Sequence, residues 1–429
     1  MKKVLIVWGN WGPYHYARFR AFHELGKTHG LRVRGVELFP TSGTYEWRTD
    51  LAHPAVDRLD LGPVETEFNL WRLLTRLVPY LWNYRPRVIF VPSYWHWSLF
   101  LNYTGRLFGA RIVMMNESHA GTERARGWKR KVKKAIVRHF DAGFVGGSPH
   151  VRHFANLGLD ESRIHVGYDA VDNDYFTRES RAARRNSEAH REKLQLPDHY
   201  FLNLGRMVKK KNLQLLIHAY ALFANRNPDL PYDLVLVGSG EEEMSLQTLS
   251  RELGLLVIDH TIPEKGNRPL EKKKVFVAAG SVSQSTPSVP VAQAERMPAV
   301  HFYGFRQIQE NPIFYGLASA FILPSLYEEW GLVINEAMAS ELPVLASRTL
   351  GCAENLVEAG VNGFTFDPST AGELANLMEK VTDPVLAEKM GKESLKRIQY
   401  WGCNRFATGA VAAAWAALEN YPDETKTDE

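Results

Sequence analysis

Residues 323–355 read LPSLYEEWGLVINEAMASELPVLASRTLGCAEN. Just before them, Phe321-Ile322-Leu323 is a short apolar run that stops at Pro324-Ser325. A run of that length without alternation fits a parallel strand buried on both faces. The loop after it holds Glu328, Glu329, Trp330 and Gly331. Leu332, Asn335, Glu336 and Ala339 follow at spacings of three and four, so they share one face of a helix. Pro343-Val344-Leu345-Ala346 then resumes strand character. Strand, loop, helix, strand is the unit of an open α/β sheet, and such sheets bind ligands beyond the carboxyl ends of their strands. A helix N-terminus there also attracts phosphate through its N–H groups and its dipole.

Glu328 and Glu336 are eight positions apart. On one straight helix they would be separated by roughly 12 Å. The carboxylate pair of a glycoside hydrolase stands about 5–9.5 Å apart, so the spacing argues against hydrolysis. A nucleotide-sugar has hydroxyls at both ends, on the hexose and on the ribose, and two separated carboxylates could grip one end each. Ordinary surface glutamates on a solvated helix are the competing reading, and the spacing alone leaves both open.

The string P-S-x-x-E-x-W-G-x-x-x-x-E-A-M-A, then P-V, G-C-A-E and N-G-F, resembles the retaining glycosyltransferases of the family-4 type, which have the GT-B fold. The resemblance implies that Glu336 holds the donor ribose. It also implies that Glu328, with Trp330, Gly331 and Leu332 after it, holds the donor sugar. Glu329 stands where the family usually has glycine.

A chain of 429 residues is expected to form two domains, each with its own core. Hydrophobic residues at 45% and charged residues at 23% are those of a globular protein. No run approaches 18 uncharged apolar residues, so no transmembrane helix is expected. The N-terminal MKKVLIVWGN stops being apolar at Asn10, which suits a core strand better than a signal peptide. Cys352 and Cys403 are too few for a disulfide framework and fit reduced thiols in a cytoplasmic protein. A net charge of +4 does not by itself point to nucleic acid.

Val4–Trp8, the loop Gly9-Asn10-Trp11-Gly12-Pro13 and a helix over Tyr14–Leu25 are the opening of a Rossmann-like domain. By resemblance, Gly12 lets the chain approach the donor diphosphate; a tight turn without a ligand is the alternative. The strand Arg87–Val91 ends at Pro92-Ser93-Tyr94-Trp95-His96-Trp97, aromatics that suit a sugar or lipid acceptor or fill the core. The strand Arg111–Met115 is followed by Asn116-Glu117-Ser118-His119, and the resemblance makes His119 the acceptor-side candidate. Residues 124–138, RARGWKRKVKKAIVR, carry eight basic residues and no acidic one. Trp128, Val132 and Ile136 form one stripe on that helix, which reads either as a face for an anionic membrane or as a core face. Interleaved aromatics that would stack on bases are missing, so no nucleic-acid partner is expected. RIHVGYDAVDNDYF, residues 163–176, resembles the family's segment at the end of domain one. Its Asp172-Asn173-Asp174 also matches the short D-x-D metal motif of the other large glycosyltransferase fold.

Domain two restarts at the strand Tyr200–Leu204 and the loop Gly205-Arg206-Met207-Val208-Lys209-Lys210-Lys211-Asn212. Arg206 and Lys211 fall on the family's cation positions, and two cations at a helix start suit a diphosphate whose charge grows as the sugar leaves. Lys209 and Lys210 are expected to be solvated, and Asn212 replaces a usual glycine. Leu234–Val237 ends in Gly238-Ser239-Gly240, a turn for the base or phosphates, or a plain turn. Residues 256–299 read as an inserted loop with one short strand at Val275–Ala279, and 421–429 as a frayed tail.

The expected fold is α/β of the GT-B type, two Rossmann-like domains facing a central cleft. The boundaries are 1–185 for an acceptor domain and 195–400 for a nucleotide-sugar domain, with 177–198 as connector and the helix 405–420 returning to domain one. The activity implied is retaining transfer of a sugar from a UDP- or GDP-sugar to a saccharide, lipid-linked or small-molecule acceptor. No metal or other cofactor is expected. The expected location is the cytoplasm, with peripheral contact at the inner membrane face through 124–138. The alternatives are a nucleotide-sugar epimerase on the same fold and an inactive donor-binding partner subunit.

Overall fold

Apolar runs without alternation become strands that bury both faces. Val88–Val91 and Ala320–Leu323 bury every residue. The computed structural model describes residues 1–40, 52–62, 69–94, 97–261 and 297–419. The chain divides into two units, Met1–Asp172 with the chain from Tyr400 onward, and Asn173–Gln399.

The first unit holds β1 (Lys2–Trp8), β2 (Leu31–Glu37), β3 (Val56–Arg58), β4 (Val88–Val91), β5 (Arg111–Asn116), β6 (Ala142–Val145) and β7 (Ile164–Val166). They lie in the order β3-β2-β1-β4-β5-β6-β7, every pair parallel. The order reverses between β1 and β4, the switch point of a doubly wound sheet. The helices Pro13–Thr28 and Cys403–Glu419 cover one face and pack on each other. Ala407, Ala410, Ala413, Ala414 and Ala417 let the second helix lie close to the sheet. A Cβ at Gly409 would stand 2.3 Å from the Val166 carbonyl. The other face is covered by Leu73, Leu77, Leu81, Leu101, Val137 and Phe154 from the remaining helices.

The second unit holds β8 (His199–Leu204), β9 (Tyr232–Val237), β10 (Leu256–Asp259), β11 (Ala299–Phe302), β12 (Ala320–Leu323), β13 (Val344–Ser347) and β14 (Gly363–Phe366). Their order is β10-β11-β9-β8-β12-β13-β14, again all parallel. Here the order reverses between β8 and β12. The loops after those two strands are Gly205–Asn212 and Pro324–Gly331, the two stretches singled out by their charges.

Three expectations of domain layout need correction. The boundary falls at Asp172/Asn173, not at 185, and 177–198 is no connector. The helix Asn173–Arg185 is fixed inside the second unit: Thr177 Oγ1 donates to the Ala339 carbonyl, Ser180 Oγ to Ser340 Oγ, and Arg181 and Arg184 pair with Glu341. The insertion does not begin at 256, because Leu256–Asp259 is strand β10, paired along its length with β11. Residues 262–296, with the short strand expected at Val275–Ala279, lie outside the described residues, as do Trp95, His96 and the tail 421–429.

The core-face reading of the Trp128–Val132–Ile136 stripe also fails at Trp128 and Val132 and holds only at Ile136, which packs against the core. The helix Gly127–Val137 turns Lys133 and Val137 inward and leaves Trp128 and Val132 exposed. Lys133 is drawn in by Glu123, 2.6 Å away. Among the described residues no helix is long and apolar enough to cross a membrane.

Candidate functional site

At the switch point of the second unit, the loop after β8 is shaped by glycines. Gly238 (φ +136) and Gly240 (φ +159), in the turn after β9, are pressed against it. A Cβ at Gly238 would stand 1.9 Å from the Gly205 carbonyl oxygen, and one at Gly240 would stand 2.4 Å from that of Met207. Only glycine fits there, so the role of both is first to seat the 205–207 backbone. The Met207 amide donates to the Ser239 carbonyl at 2.8 Å and the Gly205 amide to the Val237 carbonyl at 2.9 Å.

From Lys209 to Lys211 the chain makes one 3₁₀ turn, then turns left-handed at Asn212 (φ +55). Asparagine tolerates that conformation better than other side chains with a Cβ. Its Nδ2 donates to the carbonyls of Pro324 and Pro368, which ties the loop to the end of β12. The Leu326 amide donates to the Lys210 carbonyl at 2.9 Å. The two loops are therefore one hydrogen-bonded body.

The turn at Lys209–Lys211 brings the Lys211 ammonium back over Gly205, 3.7 Å from where a Cβ would sit, beside the start of Arg206. Glu328, almost fully buried, receives Lys211 Nζ at 2.6 Å, Lys210 Nζ at 3.3 Å and the Ser325 hydroxyl at 2.9 Å. Burial works against its charge, but the two ammonium groups outweigh it and hold the carboxyl below its ordinary range. Glu328 is thus an ionised acceptor, not the proton-donating acid of a hydrolase. Lys210 also meets Glu329 at 3.4 Å, so the expectation of a solvated Lys210 is wrong. Lys209 and Arg206 are exposed.

Gly331 (φ +108) caps the helix Leu332–Ala339 in the left-handed region, where glycine is favoured. Trp330 is buried, and its indole Nε1 donates to Asn335 Oδ1 at 2.9 Å, which locks the loop to the helix it enters. The Trp330 carbonyl accepts from the Cys352 amide and the Glu328 carbonyl from the Gly351 amide. Glu336, on the buried face with Asn335 and Ala339, receives the Tyr315 hydroxyl at 2.9 Å. Tyr315 comes from the helix Asn311–Leu317, and nothing local in the sequence marks it. Ser325 could have been found, because Ser-x-x-Glu is the spacing at which a hydroxyl reaches a carboxylate.

Two named residues lie in the first unit. Gly12 caps the helix Pro13–Thr28 at φ −88, and its amide donates to His15 Nδ1 at 3.0 Å. Burial, aided by Arg18, lowers the His15 pKa to about 3, so the ring stays a neutral acceptor. His119 is buried, opens a 3₁₀ turn, and receives the Gly121 amide on Nδ1 at 3.2 Å, which favours the tautomer protonated at Nε2. Its ring packs edge-on against His150.

The family model described as glycosyl transferases group 1 matches residues 186–278 and 264–397, a span that contains both switch-point loops. The second unit is a group 1 glycosyltransferase domain. The family-4 resemblance drawn from the motif stretch holds with it. Among curated relatives, the D-inositol 3-phosphate glycosyltransferase of Pseudarthrobacter chlorophenolicus is 24% identical over 270 residues, 62% of this chain and 53% of that protein. Sucrose synthase 1 of Hordeum vulgare is 42% identical over 84 residues, 18% of this chain and 10% of that protein. The match to the first of these relatives spans about half its length. Among solved structures, sucrose-phosphate synthase of Thermosynechococcus elongatus covers 98% of both chains at 18% identity, with a TM-score of 0.65. Anabaena HepE in complex with UDP-glucose covers 97% of this chain and 100% of its own at 17% identity, also with a TM-score of 0.65. The chain thus has the GT-B fold, two parallel sheets with helices on their faces.

Proposed function

We propose that the protein transfers a sugar, with retention at the anomeric carbon, from a nucleotide-sugar to a hydroxyl acceptor. The observation that carries this reading is the ionised Glu328 held between Lys210 and Lys211 at the switch point of a group 1 glycosyltransferase domain. In the step we envisage, the bond from the sugar C1 to the diphosphate oxygen breaks. The acceptor oxygen bonds to C1 on the same face, and its proton passes to the leaving phosphate oxygen. Lys211 and Arg206 stabilise the charge that grows on the diphosphate, so the transfer needs no metal or other cofactor. Glu328 accepts hydrogen bonds from donor-sugar hydroxyls, with the backbone from Trp330 to Leu332 beside it. Glu336, oriented by Tyr315, accepts from the ribose hydroxyls. The turn at Gly238 and Gly240 supports the base or phosphates, and Gly12 the diphosphate. His119 donates through Nε2 to the acceptor.

UDP-glucose is the first donor to test, because the fold is shared with HepE in complex with UDP-glucose. The acceptor is a saccharide, a lipid-linked glycan or a small molecule, and a chain with only two cysteines, too few for a disulfide framework, fits action in the cytoplasm. A panel of UDP- and GDP-sugars should include one that raises the melting temperature in a saturable way without added metal. With an acceptor, that donor should yield a product of retained configuration by NMR. Donor consumption without acceptor to give a new nucleotide-sugar would mark an epimerase. Donor binding with no turnover over an acceptor panel would mark an inactive partner subunit.

A further inference from the structure

We infer that one outer layer of the first unit is a docking surface for an anionic lipid bilayer. The layer is made by three helical stretches on the same face of the sheet: 70–84, Trp97–Leu107 and Gly127–Val137. Their inner residues, among them Leu77, Leu101 and Val137, share one core with β4, β5 and β6. The three are neighbours at their carboxyl ends. Trp82 meets the Phe108 ring edge-on at 5.7 Å, and Arg106 binds the His139 carbonyl just past Val137.

The outer side of this layer carries large apolar groups in water. Trp71 is 72% exposed, Trp82 56%, Tyr103 57%, Leu107 84%, Trp128 70% and Val132 40%. Isolated exposed apolar residues need no explanation, but several on adjoining helices of one layer mark an interaction face. The charge on the layer identifies the partner. Residues 70–84, 97–107 and 127–137 contain no Asp or Glu, in a chain that has 48 of them. The basic residues are concentrated beside the exposed tryptophan. At 100° per residue, Trp128, Val132 and Ala135 point outward together, with Lys131 on one side of them and Lys129 on the other. Lys133, the one lysine turned inward, is neutralised by Glu123, so the positive charge of the layer is concentrated on the outer side of Gly127–Val137, whereas Arg72 and Arg76 pair with Asp60 and Arg106 with Asp141. An apolar ridge with a tryptophan, bordered by lysines and free of acid, suits the boundary between acyl chains and anionic headgroups. A protein partner would require an acidic surface of matching shape, and nothing in the layer specifies one.

The inference stands on this surface and not on glycosyl transfer. The full-length chain is sedimented with vesicles of phosphatidylglycerol and phosphatidylcholine in equal parts, and with phosphatidylcholine alone. Binding is expected only to the anionic vesicles, with release at high salt. Replacing Lys129, Arg130 and Lys131 together by Gln should weaken partitioning about a hundredfold. Trp128→Ala should weaken it about tenfold with the salt dependence retained. These side chains are exposed, so the thermal melt of each variant should match wild type. No binding to either vesicle, equal binding to both, or a charge variant that binds like wild type would overturn the inference. So would sedimentation without vesicles that Trp128→Ala abolishes, because the layer would then be a self-association face. Nucleoside diphosphate affinity, measured on the same variants, reports on the transfer reading separately and should not change.

Discussion

Truncating Lys211 separates the part this cation plays in folding from the part proposed for it in sugar transfer. Its ammonium stands 2.6 Å from Glu328 and that of Lys210 stands 3.3 Å away. At an effective dielectric of about 20 the gross attractions are about 6 and about 5 kcal/mol, before desolvation is subtracted. Lys211→Ala leaves Glu328 buried but still facing Lys210. The stability loss should therefore be about 2 kcal/mol, below the roughly 3–5 kcal/mol of a fully orphaned buried charge. The catalytic loss should be larger. Charge grows on the diphosphate as the sugar leaves, so a fixed cation beside Gly205 stabilises the transition state more than the bound donor. Removing one such donor costs about 3–4 kcal/mol, a fall in kcat of about 10²–10³. Lys210 is partly exposed and shared with Glu329, so Lys210→Ala should lower kcat by less than about tenfold. Lys209→Ala, at an exposed position, should be unchanged. Steady-state kinetics with the donor found by thermal shift, together with urea unfolding of each variant, reads both quantities. The reasoning is refuted if Lys211→Ala keeps its kcat, or if Lys209→Ala proves as damaging as Lys211→Ala.

Three further outcomes are expected. Tyr315→Phe removes a buried hydrogen bond to Glu336, and both it and Glu336→Gln should weaken nucleoside diphosphate binding about tenfold by calorimetry; unchanged affinity in Glu336→Gln would take that residue out of ribose recognition. Gly238→Ala forces a Cβ against the Gly205 carbonyl at positive φ and should cost about 3 kcal/mol or more in urea unfolding, whereas Gly360→Ala, at positive φ but in open space, should cost only about 1–2 kcal/mol. His153 is buried beside Lys133, and burial first, then that ammonium, lowers its pKa from 6.5 to about 4. The unfolded chain therefore binds a proton that the folded chain refuses as pH falls from about 6.5 to 4, so stability falls over that window by an amount on the order of 3 kcal/mol. His153→Gln should flatten that part of the curve, and an unchanged slope would show that His153 is protonated in the native protein.

The strand, the loop, the helix with Glu336 and the second strand within 321–346 were legible because each depends on neighbours in sequence. Buried strands show as unbroken apolar runs, and helix faces as spacings of three and four. The cation loop after β8 was legible for the same reason, as a charged stretch between a strand and a helix. The basic outer face of Gly127–Val137 was half legible: the charge run of 124–138 is composition, but the side of the helix turned to solvent is not. Lys133 and Trp128 are five positions apart in that run, and only the reach of Glu123 and the core beneath Val137 decide which of the two is buried. Likewise Lys210 and Lys211 look alike in sequence. Their distances to Glu328 follow from a 3₁₀ turn and from the adjacency of β8 and β12, which are more than a hundred residues apart in the chain. The unit boundary at Asp172 and the Tyr315–Glu336 bond have the same origin. Local pattern determines which elements form, because it is set by backbone geometry and hydropathy over a few residues. Which side chains of distant elements meet is determined by the order of strands in the sheet, and only the folded chain holds that order.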